Sequence, residues 1–409
     1  MKVDKYIESL DTLNKDDNLI NLFNEGMTVL DKKKYDKALT IFNILKSKKP
    51  CKEVYLNLGA IYREKGQFEV AFKYFEKAAE LNLPYWNGMY LIEPCPLALS
   101  NLGALLYDKE ENYDLAAEYF IASYTIDRTI HSSAWNIGVV GLRQFIDGVP
   151  NIDIAKMWKF YEFRFKSNIN VVAHKEHIEW KVGEYHLDED IVILGDQGHG
   201  DFLMFARYIP YVNKFFRKVY VQPRPGMQEF FTDLYNKEAK YFVPICNLGQ
   251  LLDYIPNGEW LEHKRVDKVD GEFAVGCVWQ GSKDYGHDRW RSCPKKYFDT
   301  LDVKKYTFAP NEKSYEYLEG ENWSDTIKNL EKVDLVITID TAMAHLCGCL
   351  GKECWVIMPL HFSDWRWGSR FNGESNKWYP SVKVIRNYGN WDDVFKEIRK
   401  KLSGRSTNI

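Results

Sequence analysis

A period runs through the first third of the chain. Gly26, Ala38, Phe42 and Pro50 return as Gly59, Ala71, Phe75 and Pro84, at offsets of 33, 33, 33 and 34 residues. In each unit the alanine precedes the phenylalanine by four, so the two share one helix face. The glycine lets a paired helix approach closely, and the proline ends the second helix of the pair. A third copy runs through Asn101-Leu102-Gly103, Ala116 and Phe120. A fourth, less regular, has Trp135-Asn136-Ile137-Gly138 and then Ala155 after an inserted DGVPNID loop. A helical pair repeating at this spacing cannot bury its apolar face alone, so the units are predicted to stack into an α-solenoid.

Beyond residue 166 the pattern changes. Residues 167–190 are polar and read as a connector, with Asp188-Glu189-Asp190 as a solvated turn before a strand at 191–194. A loop holding Gly195, Gly198 and Gly200 follows, then a helix at 202–215 and a strand at 219–221. A second αβ stretch opens at 274–279, with later strands at 307–309, 335–339, 355–358 and 382–385 and a last helix at 391–402. Two consecutive runs of strand, loop and helix predict two Rossmann-like domains facing a cleft. The expected fold is therefore α followed by α/β. Its divisions are 1–166 for the repeats, 167–270 for the first αβ half and 271–409 for the second.

Residues 333–368 say most about function. An apolar β-branched strand ends at Asp340-Thr341, two good N-cap residues, and a small-residue helix follows until Gly351. A strand feeding a helix N-terminus leaves backbone N–H groups unpaired where partial positive charge collects, which suits a diphosphate. The N–H groups of Thr341, Ala342 and Met343 are the candidates. Asp340 is itself acidic, so it is expected to cap the helix or bind sugar hydroxyls. His345 lies four residues after Thr341 on the same face; it reads either as a core histidine with one hydrogen bond or as a phosphate contact.

Composition narrows the classes. The 55 Lys+Arg against 58 Asp+Glu give no basic face for nucleic acid or an anionic membrane. Eight cysteines without a C-x-x-C pair predict reduced thiols and no zinc site, and His174-x-x-His177 has metal-ligand spacing but no third ligand nearby. No run is long enough for a membrane span and the first residues hold no apolar signal core, so a cytoplasmic protein is expected. Tryptophans at 365, 367 and 378 either wall a cleft or pack.

The repeat units resemble the tetratricopeptide repeat, a helix-turn-helix of about 34 residues. From about residue 179 onward the chain resembles glycosyltransferases of the lipopolysaccharide heptosyltransferase type, of GT-B architecture. The blocks that carry this are GDQGHGD (195–201) with FARY (205–208), GCVWQG (276–281), RWRS (289–292), DTAMAHL (340–346), DWRW (364–367) and WYP (378–380). The layout of repeats plus GT-B is also similar to that of O-linked N-acetylglucosamine transferases.

The resemblance implies an inverting, metal-independent transfer from a nucleotide-diphosphate sugar to a glycan or protein acceptor, with no cofactor. Asp201 stands at the family's general-base position; equally, it would make a good N-cap for the helix at 202–215, and the two roles are compatible. Arg291 matches the basic residue against the donor phosphates, with Arg289 assisting and Gln280 touching the donor or supporting that arginine. Gly198, His199 and Gly200 form a loop near the acceptor. The chain departs from the family at His199, where an apolar residue is usual, and at 308–314, which lacks a glutamine expected near the donor. The array's concave face is expected to hold the acceptor or a protein partner. The alternative is a non-catalytic scaffold whose GT-B half is degenerate.

Overall fold

The computed structural model describes residues 17–80, 85–86, 89–90, 94–109, 112–165, 178–235, 239–265, 271–282, 285–308, 315–318, 320, 322–370, 372–374 and 376–405. Pro84, His174, His177 and residues 309–314 lie outside them. The chain divides into two compact units: residues 1–140 with 160–168, and residues 141–159 with 169–409.

The first unit is a helical array. It runs α1 (Asp17–Asp31), α2 (Tyr35–Lys48), α3 (Lys52–Glu64), α4 (Phe68–Glu80), a short antiparallel pair β1 (Tyr85–Trp86) and β2 (Met89–Tyr90), α5 (Pro96–Lys109), α6 (Tyr113–Ile126) and the start of α7 (His131–Ile146). The repeating residues have a common steric logic. A Cβ built on Gly26 would meet the Phe42 ring at 3.1 Å, one on Gly59 the Phe75 ring at 2.5 Å, and one on Gly103 the Phe120 ring at 3.0 Å. Those rings and Ala38, Ala71 and Ala116 are buried. Each glycine thus makes the space that the phenylalanine of the next helix fills.

The second unit opens with the end of α7 and most of α8 (Ile154–Tyr161). Here the close-approach pair is Gly141 with Met157, a thioether in place of the ring, so the fourth copy is keyed on Gly141 rather than Gly138. Trp158 is buried against Phe205 and Trp365, with ring centroids 5.5 and 5.9 Å away.

Two all-parallel sheets follow. The first joins β3 (Ile178–Glu179), β4 (His186–Leu194), β5 (Phe216–Gln222) and β6 (Tyr241–Pro244) in the order β3-β6-β4-β5, with α9 (His199–Phe205) and α10 (Ile209–Val212) after β4. The second contains β7 (Ala274–Val278), α11 (Asp288–Arg291), α12 (Lys296–Asp299), β8 (Lys304–Thr307), β9 (Glu316–Tyr317), α13 (Trp323–Asn329), β10 (Leu335–Ile339), α14 (Ala342–Leu350), β11 (Cys354–Met358), β12 (Val382–Arg386) and α15 (Trp391–Ser403). Its order is β12-β11-β10-β7-β8-β9. From β7 the chain therefore adds β8 and β9 on one side, then returns to add β10, β11 and β12 on the other. That is the doubly wound order, with its reversal between β7 and β10. All five residues of β10 and of β11 are buried, as strands covered on both faces must be.

Two local expectations need correction. The helix expected at 202–215 starts at His199 and breaks: α9 gives way to a 3-10 turn at Ala206–Tyr208 and then to α10. Pro210 has no N–H for the carbonyl of Ala206 and its ring crowds that turn, which explains the break. The acidic run at 188–190 belongs to β4 rather than to a turn. Asp190 accepts from Arg217 Nε of β5 at 2.9 Å and Glu189 pairs with Lys240 just before β6, so both charges have cationic partners. No helix among the described residues is long and apolar enough to cross a membrane.

Candidate functional site

The reversal in strand order leaves a gap at the carboxyl ends of β7 and β10, and a cleft of about 740 Å³ opens there. Gln280, Gly281 and Ser282 line it after β7, Phe308 after β8, Asp340 to Met343 after β10, and Asp364 and Arg366 after β11. The other wall comes from the loop after β4: Gln197, Gly198, His199, Gly200 and Asp201. The fold thus brings together eleven of the twelve candidate site residues singled out in the sequence. Arg289 is the exception. It lies on the exposed side of α11 with its guanidinium 5.5 Å over the Trp290 ring.

Asp201 is the third residue of α9, and Gly198 holds the N-cap position. The Gly198 N–H donates to Asp201 Oδ2 at 2.9 Å, so the carboxylate secures the helix start from inside. Its other oxygen pairs with Arg366. Burial pushes the Asp201 carboxyl above its usual range, against the pull of Arg366 and with the push of Asp364. Arg366 is a shared cation: Nη1 donates to Asp364 Oδ2 at 2.8 Å and to Oδ1 at 3.0 Å. Asp364 is held below the usual carboxylate range; burial opposes this, but the Arg366 charge and backbone N–H outweigh it. Arg366 lies in the DWRW block, and nothing in that block by itself assigns it a role. Its partner Asp201 lies 165 residues away, and no local signal announces such a pairing.

On the β7–β10 side, Arg291 Nε donates to Asp288 Oδ1 at 3.0 Å and Nη1 donates to the Asp340 carbonyl at 2.6 Å. The guanidinium also lies 4.4 Å over the Tyr285 ring. A Cβ on Gly281 would overlap Arg291 Nη2, so only glycine leaves room for this side chain at the end of β7.

Asp340 does not cap α14. Its Oδ1 accepts from Trp367 Nε1 at 2.8 Å, and burial with the nearby Asp364 charge raises its pKa to about 6. Thr341 is the cap, its Oγ1 accepting from the Met343 N–H at 3.3 Å. Of the three N–H groups expected to meet phosphate, that of Met343 is therefore engaged by Thr341.

His345 is buried, its Nδ1 3.1 Å from the Tyr379 hydroxyl. Burial first, and then Arg366, lower its pKa to about 3. It offers the cleft a neutral imidazole, so any contact with phosphate is a dipole's and not a cation's. A Cβ on Gly200 would come within 2.7 Å of its Cδ2, which lets α9 and α14 meet at the cleft floor. His199 Nε2 is 3.0 Å from the Pro225 carbonyl, and its ring centroid is 5.8 Å from that of Trp323.

Trp365, Trp367 and Trp378 are all buried, so their bulk packs beneath the cleft. Arg207 of the FARY block is buried too and donates to the Met204 and Trp378 carbonyls, a structural role. Among the described residues no group of three or more His, Cys, Asp or Glu is placed to hold a metal ion.

A tetratricopeptide-repeat family model matches residues 52–84, the stretch that contains α3 and α4. Among solved structures the chain is similar to MamA (18% identity over 40% of this chain and 84% of that one, TM-score 0.29). It is also similar to PilF of Pseudomonas aeruginosa (14%, 36% and 61%, TM-score 0.30). A third is YrrB, described as a TPR protein with an unusual peptide-binding site (19%, 39% and 72%, TM-score 0.27). No curated protein matches the chain. The N-terminal part of this protein is thus a helical repeat array containing a tetratricopeptide repeat, and a region of parallel sheets follows it.

Proposed function

We propose that the second unit is a GT-B glycosyltransferase of the heptosyltransferase type, which moves a sugar from a nucleoside-diphosphate donor to a glycan or protein acceptor with inversion. The observation that carries the proposal is the cleft at the strand-order reversal, where Arg291 and the α14 N-terminus face Asp201 on the opposite wall.

In this reading the acceptor hydroxyl approaches Asp201. A carboxyl group whose pKa burial has raised is a stronger base than a solvated one, and Arg366 beside it opposes that rise. As the C–O bond to the diphosphate breaks, negative charge grows on the leaving oxygen. Arg291 and the orphan N–H of Ala342 would face that charge from fixed positions. Gln280 and Asp340 would hold the sugar or nucleoside part. The helical array would recruit the acceptor or a protein partner.

The test is a thermal-shift panel of ADP, GDP, UDP and CDP without metal, on wild type and Arg291→Lys. Lysine keeps the charge but loses the two-pronged fork. One nucleotide is expected to raise the midpoint by several degrees in wild type and clearly less in the variant. No shift with any of the four would turn the reading toward a scaffold whose GT-B half binds no donor.

A further inference from the structure

The helical array carries a pocket of its own. It has a volume of about 430 Å³ and is lined by Lys46 of α2, Tyr55 of α3, and Val70, Lys73, Tyr74 and Lys77 of α4. Most of it comes from the second helices of two successive repeats. Among the described residues its chemistry is one-sided: three lysines and two tyrosines, with no carboxylate in the lining.

The aromatic floor is ordered. Tyr74 stacks on Tyr62 at 5.5 Å with 9° between the planes, and on Tyr55 at 6.0 Å with 28°. Lys46 Nζ donates to the Tyr74 hydroxyl at 3.0 Å and lies 5.3 Å over the same ring. Lys77 Nζ lies 5.9 Å over Tyr55. These rings fix two ammonium groups without neutralising them. Elsewhere in the array cations have acids: Arg63 binds Asp108 at 2.6 Å, Lys109 binds Glu69 at 2.9 Å and Lys65 pairs with Asp36. Val70, Lys73 and Lys77 are exposed, so the pocket is open to a ligand.

We propose that this pocket is a docking site for an acidic peptide segment of a partner protein. Two or more carboxylates would meet Lys46, Lys73 and Lys77, and the aliphatic stems of the peptide would cover Val70 and the tyrosine rings. Charge complementarity names the occupant, since three lysines line a groove to which the described residues supply no anion. The proposal rests on the reading of the array as a partner-binding module and is independent of the donor site.

The experiment uses the full-length protein and a fluorescein-labelled Glu/Asp-rich dodecapeptide, followed by fluorescence polarisation. A neutral peptide of equal length, an unbiased peptide library and a sulfated polysaccharide run in parallel. The variants are Lys73→Glu/Lys77→Glu and, as an equal change of charge on exposed lysines outside the pocket, Lys32→Glu/Lys34→Glu. The account expects binding of the acidic peptide that weakens strongly between about 0.05 M and about 0.5 M salt, as screening shortens. It also expects at least a tenfold loss in Lys73→Glu/Lys77→Glu and a change within twofold in the control pair. Equal losses in both pairs would overturn the pocket in favour of general charge attraction. Binding of the polysaccharide alone would replace the protein partner with a glycan. Capture only of neutral library peptides would overturn the acidic pocket yet leave the array a peptide binder, and no binding of any kind would sink both.

Discussion

Asp201 and Asp340 line one cleft, yet they are held differently. Asp201 has a cation against one oxygen and a backbone N–H against the other. Asp340 has a single indole N–H, and Asp364 adds repulsion. A carboxyl group with pKa near 6 in the fold and about 3.9 in the unfolded chain binds more protons when folded between those values. Its folded form is therefore favoured below about pH 4, and that contribution is lost as pH rises to about 6. Asp340→Asn keeps an acceptor for Trp367 and removes the ionisation. We expect the variant to melt about 2–4 °C above wild type at pH 7.5 and to lose most of that advantage by pH 4.5, as read by thermal unfolding. His345 has the opposite sign. Its pKa is lowered, so stability falls as pH falls from about 6.5 toward about 3 in both proteins, and the difference between them isolates Asp340.

The residues of the site differ in how far they could be read. Gly351 as the stop (left-handed, φ 67°) and the limits of α14 follow from local chemistry, whereas Asp340 and Thr341 both read as caps and only the structure assigns the cap to Thr341. Asp201 reads as an N-cap, but the cap is Gly198; glycine carries no side-chain signal, and the helix begins three residues before the first apolar run. Arg366 was invisible as a partner of Asp201 because an ion pair across 165 residues leaves no pattern in either segment.

At the level of elements, the repeat is legible because one steric requirement recurs. Gly59 can be tested directly. Alanine there gains about 1 kcal/mol in helix propensity, but its Cβ would lie 2.5 Å from a fully buried ring. Overpacking costs about 1–3 kcal/mol and should win. Gly59→Ala is therefore expected to lower stability in chemical denaturation followed by helix ellipticity, and Phe75→Leu in the same chain to recover part of the loss. A stability gain from the single change would contradict the packing described.

The junction after the third repeat was far less legible. Residues 141–159 read as repeat, yet they pack within the α/β unit. Arg143 Nη2 donates to the Ser363 carbonyl at 2.6 Å and its hydroxyl at 3.0 Å, and Asp147 accepts from the Ser369 N–H at 2.8 Å. These bonds brace both ends of the segment that carries Asp364 and Arg366. A buried arginine 220 residues from its partner looks, in sequence, like any helix-surface charge.

For the whole molecule, the order of the second sheet matters most. Strand positions could be read from β-branched runs, but their order depends on which way each connection crosses, and apolar patterning does not encode that. Once the order is known, the reversal between β7 and β10 places the cleft, and RWRS, WQG and DTAMAH converge there without adjustment. The functional account adds one step, that this convergence transfers sugar and that Asp201 takes the proton.

The measurement that tests it most directly is nucleoside-diphosphate release from UDP-, GDP-, ADP- and CDP-sugars in the presence of a chelator, comparing wild type with Asp201→Asn. The account predicts metal-independent release from one donor. It also predicts a fall of about 10²- to 10⁴-fold in the variant, with nucleotide binding by thermal shift retained. Release from no donor, or equal rates in the two proteins, would contradict the catalytic role of this cleft.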